Sequence, residues 1–184
     1  MVVFFAVGAI LLVLTLWSIT SFNNLVKLSQ LLKEGWSGID VQLKRRYDLI
    51  PNLVATVKSY AAHESGVFES VTSARAASMQ ASSVAQKSDA ETDLSKSLVS
   101  LFAVAENYPE LKANQNFLEL QSELSSLESE IQLARRYYNG TARNYNIAVQ
   151  TFPGSIVASI AKYNSTDYFQ LSSSSERDTP EVKF

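Results

Sequence analysis

No charged side chain occurs before Lys27. The first twenty-two residues, MVVFFAVGAILLVLTLWSITSF, are apolar except for Gly8, Thr15, Ser18, Thr20 and Ser21. A hydrocarbon core about 30 Å thick is crossed by roughly 20 apolar residues in a helix, so the run is long enough to span. A surface helix of a soluble domain needs a polar face, and this run has none. A cleaved secretory signal is the competing reading. Such signals carry a basic start, an apolar core of about 7–15 residues and an A-x-A-like cleavage site. Here no Lys or Arg precedes the run, the run is longer, and only Ser18-Ile19-Thr20 resembles a cleavage site. A retained transmembrane anchor over residues 1–22 is expected, with Trp17 and Phe22 at the membrane–water interface. Cysteine is absent, which excludes a lipid-modified cysteine anchor and a disulfide framework.

Basic residues set the expected orientation. Lys27, Lys33, Lys44, Arg45 and Arg46 all follow the span and none precedes it. Lys27 and Lys33 lie within the roughly 15–20 residues over which positive charge is counted. The pattern favours a short N-terminus outside and the main domain in the cytoplasm.

Beyond the anchor, about 160 residues remain, one ordinary domain. The net charge is −2 and no basic stripe dominates, which argues against nucleic acid as a partner. With 6 glycines and 4 prolines among 184 residues, the chain is poor in breakers. Its Ala, Leu, Ser, Gln and Glu content favours long helices.

Periodicity divides these helices. Phe22, Leu25, Ser29, Leu32, Trp36, Ile39 and Leu43 recur at alternating steps of three and four, a heptad seam. A first helix from about residue 2 to residue 46 would reach roughly 65 Å. A turn is predicted near Arg46–Ile50, with Asp48 capping a new helix and Pro51 in its first turn. A kinked continuous helix is the alternative. The second helix is predicted along Leu53, Val57, Tyr60, Glu64, Val67, Val71, Ala74, Ser78, Ala81 and Ala85, interrupted at His63–Gly66. Its seam thins to alanine and serine, which lets helices approach closely. A third helix is predicted to open on the capping-box pattern Ser88-x-x-Glu91. It carries Leu94, Leu98, Leu101 and Ala105, ends near Asn107, and is about half as long as its neighbours. The fourth runs Phe117, Leu120, Leu124, Leu127, Ile131, Ala134, Tyr138, Thr141, Tyr145, Ala148 and Phe152 until Pro153-Gly154 stops it. A short apolar stretch, 155–161, and a polar tail follow, with Val182 and Phe184 as docking residues.

The expected fold class is all-α: a transmembrane helix continuing into an antiparallel up-and-down four-helix bundle with coiled-coil-like packing. The expected domains are an anchor at 1–22, a bundle at 23–163 and a partly ordered tail at 164–184. Uneven helices would leave apolar surface for a partner or another copy.

Reactive constellations are missing from the sequence. His63, the single histidine, stands in His-Glu-Ser-Gly-Val, so the zinc-protease pattern H-E-x-x-H fails. No phosphate-binding glycine motif and no G-x-S-x-G occurs. No catalytic, cofactor or metal residue is assigned, and no small-molecule substrate is expected. The distinctive segment is 35–54, which groups Trp36, Asp40, Lys44, Arg45, Arg46, Tyr47 and Asp48. These side chains are either architecture, with Lys44 and Arg45 ending a helix, Asp48 capping the next and Trp36 and Tyr47 in the core, or a basic, aromatic interaction patch. A second cluster holds Arg135, Arg136, Tyr137 and Tyr138.

The string WSGIDVQLKRRYDLIPNLVATVKSYAAHE, Trp36 to Glu64, resembles the signature of the LemA family. So do YNIAVQTFPGSIVASIAKY, Tyr145–Tyr163, the Asp167–Phe169 triplet DYF, and the terminal P-x-V-x-F at Pro180–Phe184. Met79–Asp93 is less typical. The resemblance implies a bacterial protein with one span and a helical bundle in the cytoplasm, with no established activity. It also implies association with envelope functions, with membrane zinc metalloproteases of the HtpX type and, in one branch, with magnetosome membranes. The expected function is a non-enzymatic, membrane-anchored scaffold in the bacterial inner membrane. It would contact lipid through its anchor and form homo-oligomers. An adaptor or regulator of a membrane protease is the alternative.

Overall fold

A computed structural model describes residues 1–170. The proposed docking of Val182 and Phe184 and the terminal motif lie outside the described residues. The described residues are all helix, turn or irregular chain, with no strand among them. The helices are α1 (Val2–Lys58), α2 (Ser65–Gln80), α3 (Val84–Ala105), α4 (Pro109–Lys112), α5 (Gln115–Gln150) and α6 (Gly154–Ile160).

The predicted turn at Arg46–Ile50 is absent. α1 continues through Pro51 to Lys58, a helix of 57 residues. Proline has no N–H to give the carbonyl four residues back, which ordinarily breaks or kinks a helix. That carbonyl belongs to Tyr47, and Arg75 Nε of α2 donates to it at 2.7 Å. The bond lost to Pro51 is thus replaced from a neighbouring helix. The seam also crosses the proline without a phase change. Continuing the steps of three and four from Leu43 gives Arg46, Ile50, Leu53 and Val57, all buried. Asp48 is therefore an exposed residue inside α1 rather than a cap, and Lys44 and Arg45 do not end a helix.

The chain reverses instead at 59–64, where His63 is exposed. Tyr60 in this turn accepts from Asn114 Nδ2 at 3.1 Å, while Asn114 Oδ1 takes the N–H of Phe117 at 3.0 Å. One asparagine so caps α5 and braces the reversal. The capping box falls five residues earlier than predicted. Ser83 accepts from the Gln86 N–H at 3.2 Å and Gln86 reaches back to the Ser83 N–H. Ser88 and Glu91 lie inside α3 and are buried. With 16, 22 and 36 residues, α2 rather than α3 is shorter than the others among α2, α3 and α5.

The chain forms two compact units, and α1 and α5 contribute to both. The first comprises Met1–Gly38 and Arg135–Tyr168. Its apolar helix start is exposed through residue 16. Three of its four hydroxyls, those of Thr15, Ser18 and Thr20, bond the carbonyls of Leu11, Leu14 and Trp17 at 2.8–2.9 Å. They therefore bring no unsatisfied polar group into hydrocarbon. Further along, α1 and α5 approach closely at Gly35. A Cβ there would stand 3.2 Å from Tyr138 Cα and 3.1 Å from Thr141 Oγ1. Trp36 meets Tyr138 edge-on with ring centroids 5.6 Å apart. Leu25, Tyr145, Val149 and Ala158 form one buried cluster. Residues 164–167 are strapped to α5 by side chains. Asn146 bonds both the C=O and N–H of Thr166 at 2.9 Å, and Tyr145 and Tyr138 donate to the carbonyls of Asn164 and Asp167.

The second unit comprises Ile39–Ala134 and the described residues from Phe169. Its core draws Ile39, Leu43, Ile50, Leu53 and Val57 from α1, Phe68 and Val71 from α2, Leu94, Leu98 and Leu101 from α3, and Leu124, Leu127 and Ile131 from α5.

The replacement of the Pro51 N–H by Arg75 has a measurable consequence. Arg75→Met orphans the Tyr47 carbonyl and should destabilise by about 1–3 kcal/mol. In a Pro51→Ala background the restored N–H of residue 51 can bond Tyr47, so the same change should cost clearly less. Chemical denaturation followed by circular dichroism measures this cycle. Equal costs in both backgrounds would refute the substitution of one donor for the other.

Candidate functional site

The sequence singled out a basic, aromatic segment, and the structure divides it. Asp40, Lys44, Arg45 and Asp48 are exposed on α1, with Arg45 Nη1 bonded to Gln42 at 3.1 Å. Arg46 and Tyr47 point into the second unit, 5% exposed each. In the first unit Trp36 is half-buried against Tyr138, Arg135 is buried and Arg136 is exposed.

Arg46 occupies a seam position of α1, and Glu91 continues the seam of Leu94, Leu98, Leu101 and Ala105 on α3. The two seams face one another, so a cation and an anion meet in the interior. Glu91 is fully buried. Its Oε2 lies 3.4 Å from Arg46 Nη1, and its Oε1 accepts from the Tyr47 hydroxyl. Arg46 Nη1 also lies 3.2 Å from Glu128 of α5, a partly exposed side chain, and Nη2 donates to Ser95 Oγ at 3.0 Å. One guanidinium therefore ties α1 to α3 and α5.

Lys87 is a second buried cation of this unit. Its Nζ donates to the Ser78 carbonyl at 2.9 Å and lies 5.8 Å from the centre of the Tyr47 ring. Ser78 is in the last turn of α2, where carbonyls lack helical partners and a positive charge is favourable. The Ser78 hydroxyl is buried without a partner among the described residues.

Glu91, Lys87 and Ser95 carried no signal as site residues. Glu91 was concealed by its capping-box spacing. The detectable cue was its 3–4 register with Leu94 and Leu98, which marks an interior position. Chemically, the cluster joins helices. Its carboxylate accepts from Arg46 and Tyr47, and Lys87 holds a carbonyl. Among the described residues no three His, Asp or Glu side chains are grouped as metal ligands would be.

Among the described residues there is no strand and one helix is long and apolar enough to cross a membrane, which fits a membrane protein of helical type. The LemA family model matches residues 35–184, so the chain belongs to the LemA family. Relatives include the magnetosome proteins MamQ 1 and MamQ 2 of Paramagnetospirillum magneticum, each 25% identical over 175 residues, with 81% of this chain and 64% of the relative covered. The magnetosome protein MamQ of Magnetospirillum gryphiswaldense is 23% identical over 174 residues, covering 80% and 64%. The chain thus spans 64% of the length of these relatives.

Removing one member of the buried pair should be costly. Arg46→Ala leaves Glu91 without its cation and should destabilise by about 3–5 kcal/mol. Arg46→Met with Glu91→Leu should lose less than Arg46→Ala alone, because no buried charge is left unpaired. Urea melts of the three proteins test the order.

Alkali provides a separate check. Burial, then the Glu91 carboxylate, pushes the Tyr47 hydroxyl well above the ordinary tyrosine value of 10.0. Below that value folded and unfolded chains both hold the proton, and the contribution to stability is complete. Above it the unfolded chain loses the proton while the folded chain keeps it, so stability falls as pH rises. Tyr138 and Tyr145 are also raised by burial and add to this slope. Tyr47→Phe should cost about 1–3 kcal/mol at neutral pH and give a shallower alkaline decline in melting temperature.

Proposed function

We propose that this protein is a non-enzymatic, membrane-anchored helical scaffold that assembles with copies of itself. In this reading an antiparallel up-and-down four-helix bundle stands on a single span in the bacterial inner membrane. The supporting observation is how the interior charges are engaged. Arg46, Tyr47 and Glu91 bind one another, while Arg75 and Lys87 hold helix carbonyls. What the second unit offers a partner is the outside of its helices. On α1 that outside carries both signs, Asp40 and Asp48 with Lys44 and Arg45. A surface with both signs can complement itself across a two-fold axis. Arg136, exposed on α5, is a separate candidate contact.

Lys44→Glu with Arg45→Glu should leave the helical spectrum and melting curve unchanged but reduce assembly, because like charges then oppose across the interface. Mass measurement in mild detergent reads the result. A wild-type protein that is strictly monomeric yet retains a metalloprotease during co-purification would replace the scaffold with the protease adaptor.

Orientation follows the charge pattern, with the end of the span at Met1 outside and the bundle in the cytoplasm. The chain has no cysteine, so Ser129→Cys on the exposed side of α5 reports cleanly. It should resist a membrane-impermeant maleimide in intact cells and react after lysis. Labelling of intact cells would place the bundle on the outer side.

A further inference from the structure

The corner where α5 passes into α6 presents large apolar side chains to the outside. Phe152 is 81% exposed, Ile156 50% and Ile160 78%. The inner side of α6 is already engaged, with Ala158 and Val157 packed among Leu25, Tyr145 and Val149. Ile156 and Ile160 stand one turn apart on the other side. Apart from Ser155 and Ser159 the side chains of α6 are apolar; an apolar helix face is ordinarily buried, and here the Ile156–Ile160 side lacks cover within the first unit.

The position of this corner along α1 indicates what covers it. α1 and α5 run in opposite directions in this unit. The eleven residues from Trp36 back to Leu25 match the eleven from Tyr138 on to Val149. Three more residues bring Phe152 level with Phe22, the last residue of the apolar start of α1. Tyr163, just beyond α6, confirms the level, because its ring lies 6.4 Å from that of Phe22 and 6.4 Å from that of Tyr145. Between Arg143 and Asp167 the only charged residue is Lys162. Lys162 and Lys27 are both exposed.

We propose that the α5–α6 corner is a second membrane contact. Phe152, Ile156 and Ile160 enter the headgroup–acyl boundary of the leaflet from which α1 emerges, and Lys27 and Lys162 meet anionic lipid phosphates. Apolar residues flanked by lysines at the depth where a span ends are the pattern of an interfacial element. This proposal rests on α1 spanning the bilayer. It adds a contact that would fix the tilt and rotation of the first unit on the membrane.

Single cysteines at Ile160, Leu12 and Ser129 provide the test in the full chain, each carrying an environment-sensitive fluorophore. The protein is placed one copy per nanodisc of phosphatidylethanolamine and phosphatidylglycerol. Quenchers are a nitroxide lipid and aqueous iodide. The Ile160 probe should be quenched by the nitroxide several-fold more strongly than the Ser129 probe, and shielded from iodide. Adding Ile156→Asp should return it to water. An Ile160 probe open to iodide and insensitive to the nitroxide, beside a lipid-buried Leu12 probe, overturns the proposal and leaves the anchor standing. Iodide access at Leu12 overturns both. Shielding at Ile160 without lipid quenching, found only in discs holding two copies, assigns the corner to a second copy and also overturns it.

Discussion

A carboxylate shut away from solvent has to be compensated where it stands, and Glu91 imposes that condition on the second unit. Its partners come from α1, as a guanidinium and a phenol, and the guanidinium extends the link to α5. Apolar seams alone would let two heptad helices slide by seven residues at modest cost, because one leucine resembles the next. Sliding α3 along α1 by a heptad would leave Glu91 buried without its counter-charge, a loss of several kcal/mol, while Arg46 kept only Glu128 of α5. The pair therefore acts on alignment more than on net stability.

Two further cations of the second unit act on the backbone. Arg75 holds a carbonyl released by a proline, and Lys87 holds one released by a helix end. Both follow from the rule that a buried main-chain acceptor needs a donor. Such bonds leave no trace in a local sequence pattern, because Arg75 lies 28 residues from Tyr47.

That distance explains what the sequence revealed and what it withheld. The apolar start, the seam of α5 from Phe117 to Ala148 and its end before Pro153 are each encoded within a few neighbouring residues, and each could be read directly; Phe152, the last expected seam residue, instead lies beyond α5 and is exposed because the chain turns there. Pro51 could not, because its local meaning is a break and only a remote arginine reverses it. The unbroken 3–4 spacing from Leu43 to Val57 was the better guide, but it required accepting Arg46 at an interior position. Ser88-x-x-Glu91 and Ser83-x-x-Gln86 are both acceptable helix starts. Choosing between them depends on whether Glu91 is wanted outside as a cap or inside as a counter-charge, which only α1 decides. Within the segment Trp36–Asp48, the division into buried and exposed members depends on which way each side chain leaves α1.

An unbroken α1 also restricts how members of this lineage can change in length. Each residue inserted into a helix turns everything beyond it by about 100°. One added residue between Ile39 and Arg46 would swing Arg46, Ile50 and Leu53 away from the partners that Ile39 and Leu43 share with them in the second unit. Seven would restore the facing while lengthening the helix by about 10 Å. α5 runs alongside and is itself continuous, so it would need a matching seven. Within the second unit the spacing between Ile39 and the buried ion pair is in this sense quantised, and it can grow only by paired steps of a whole heptad.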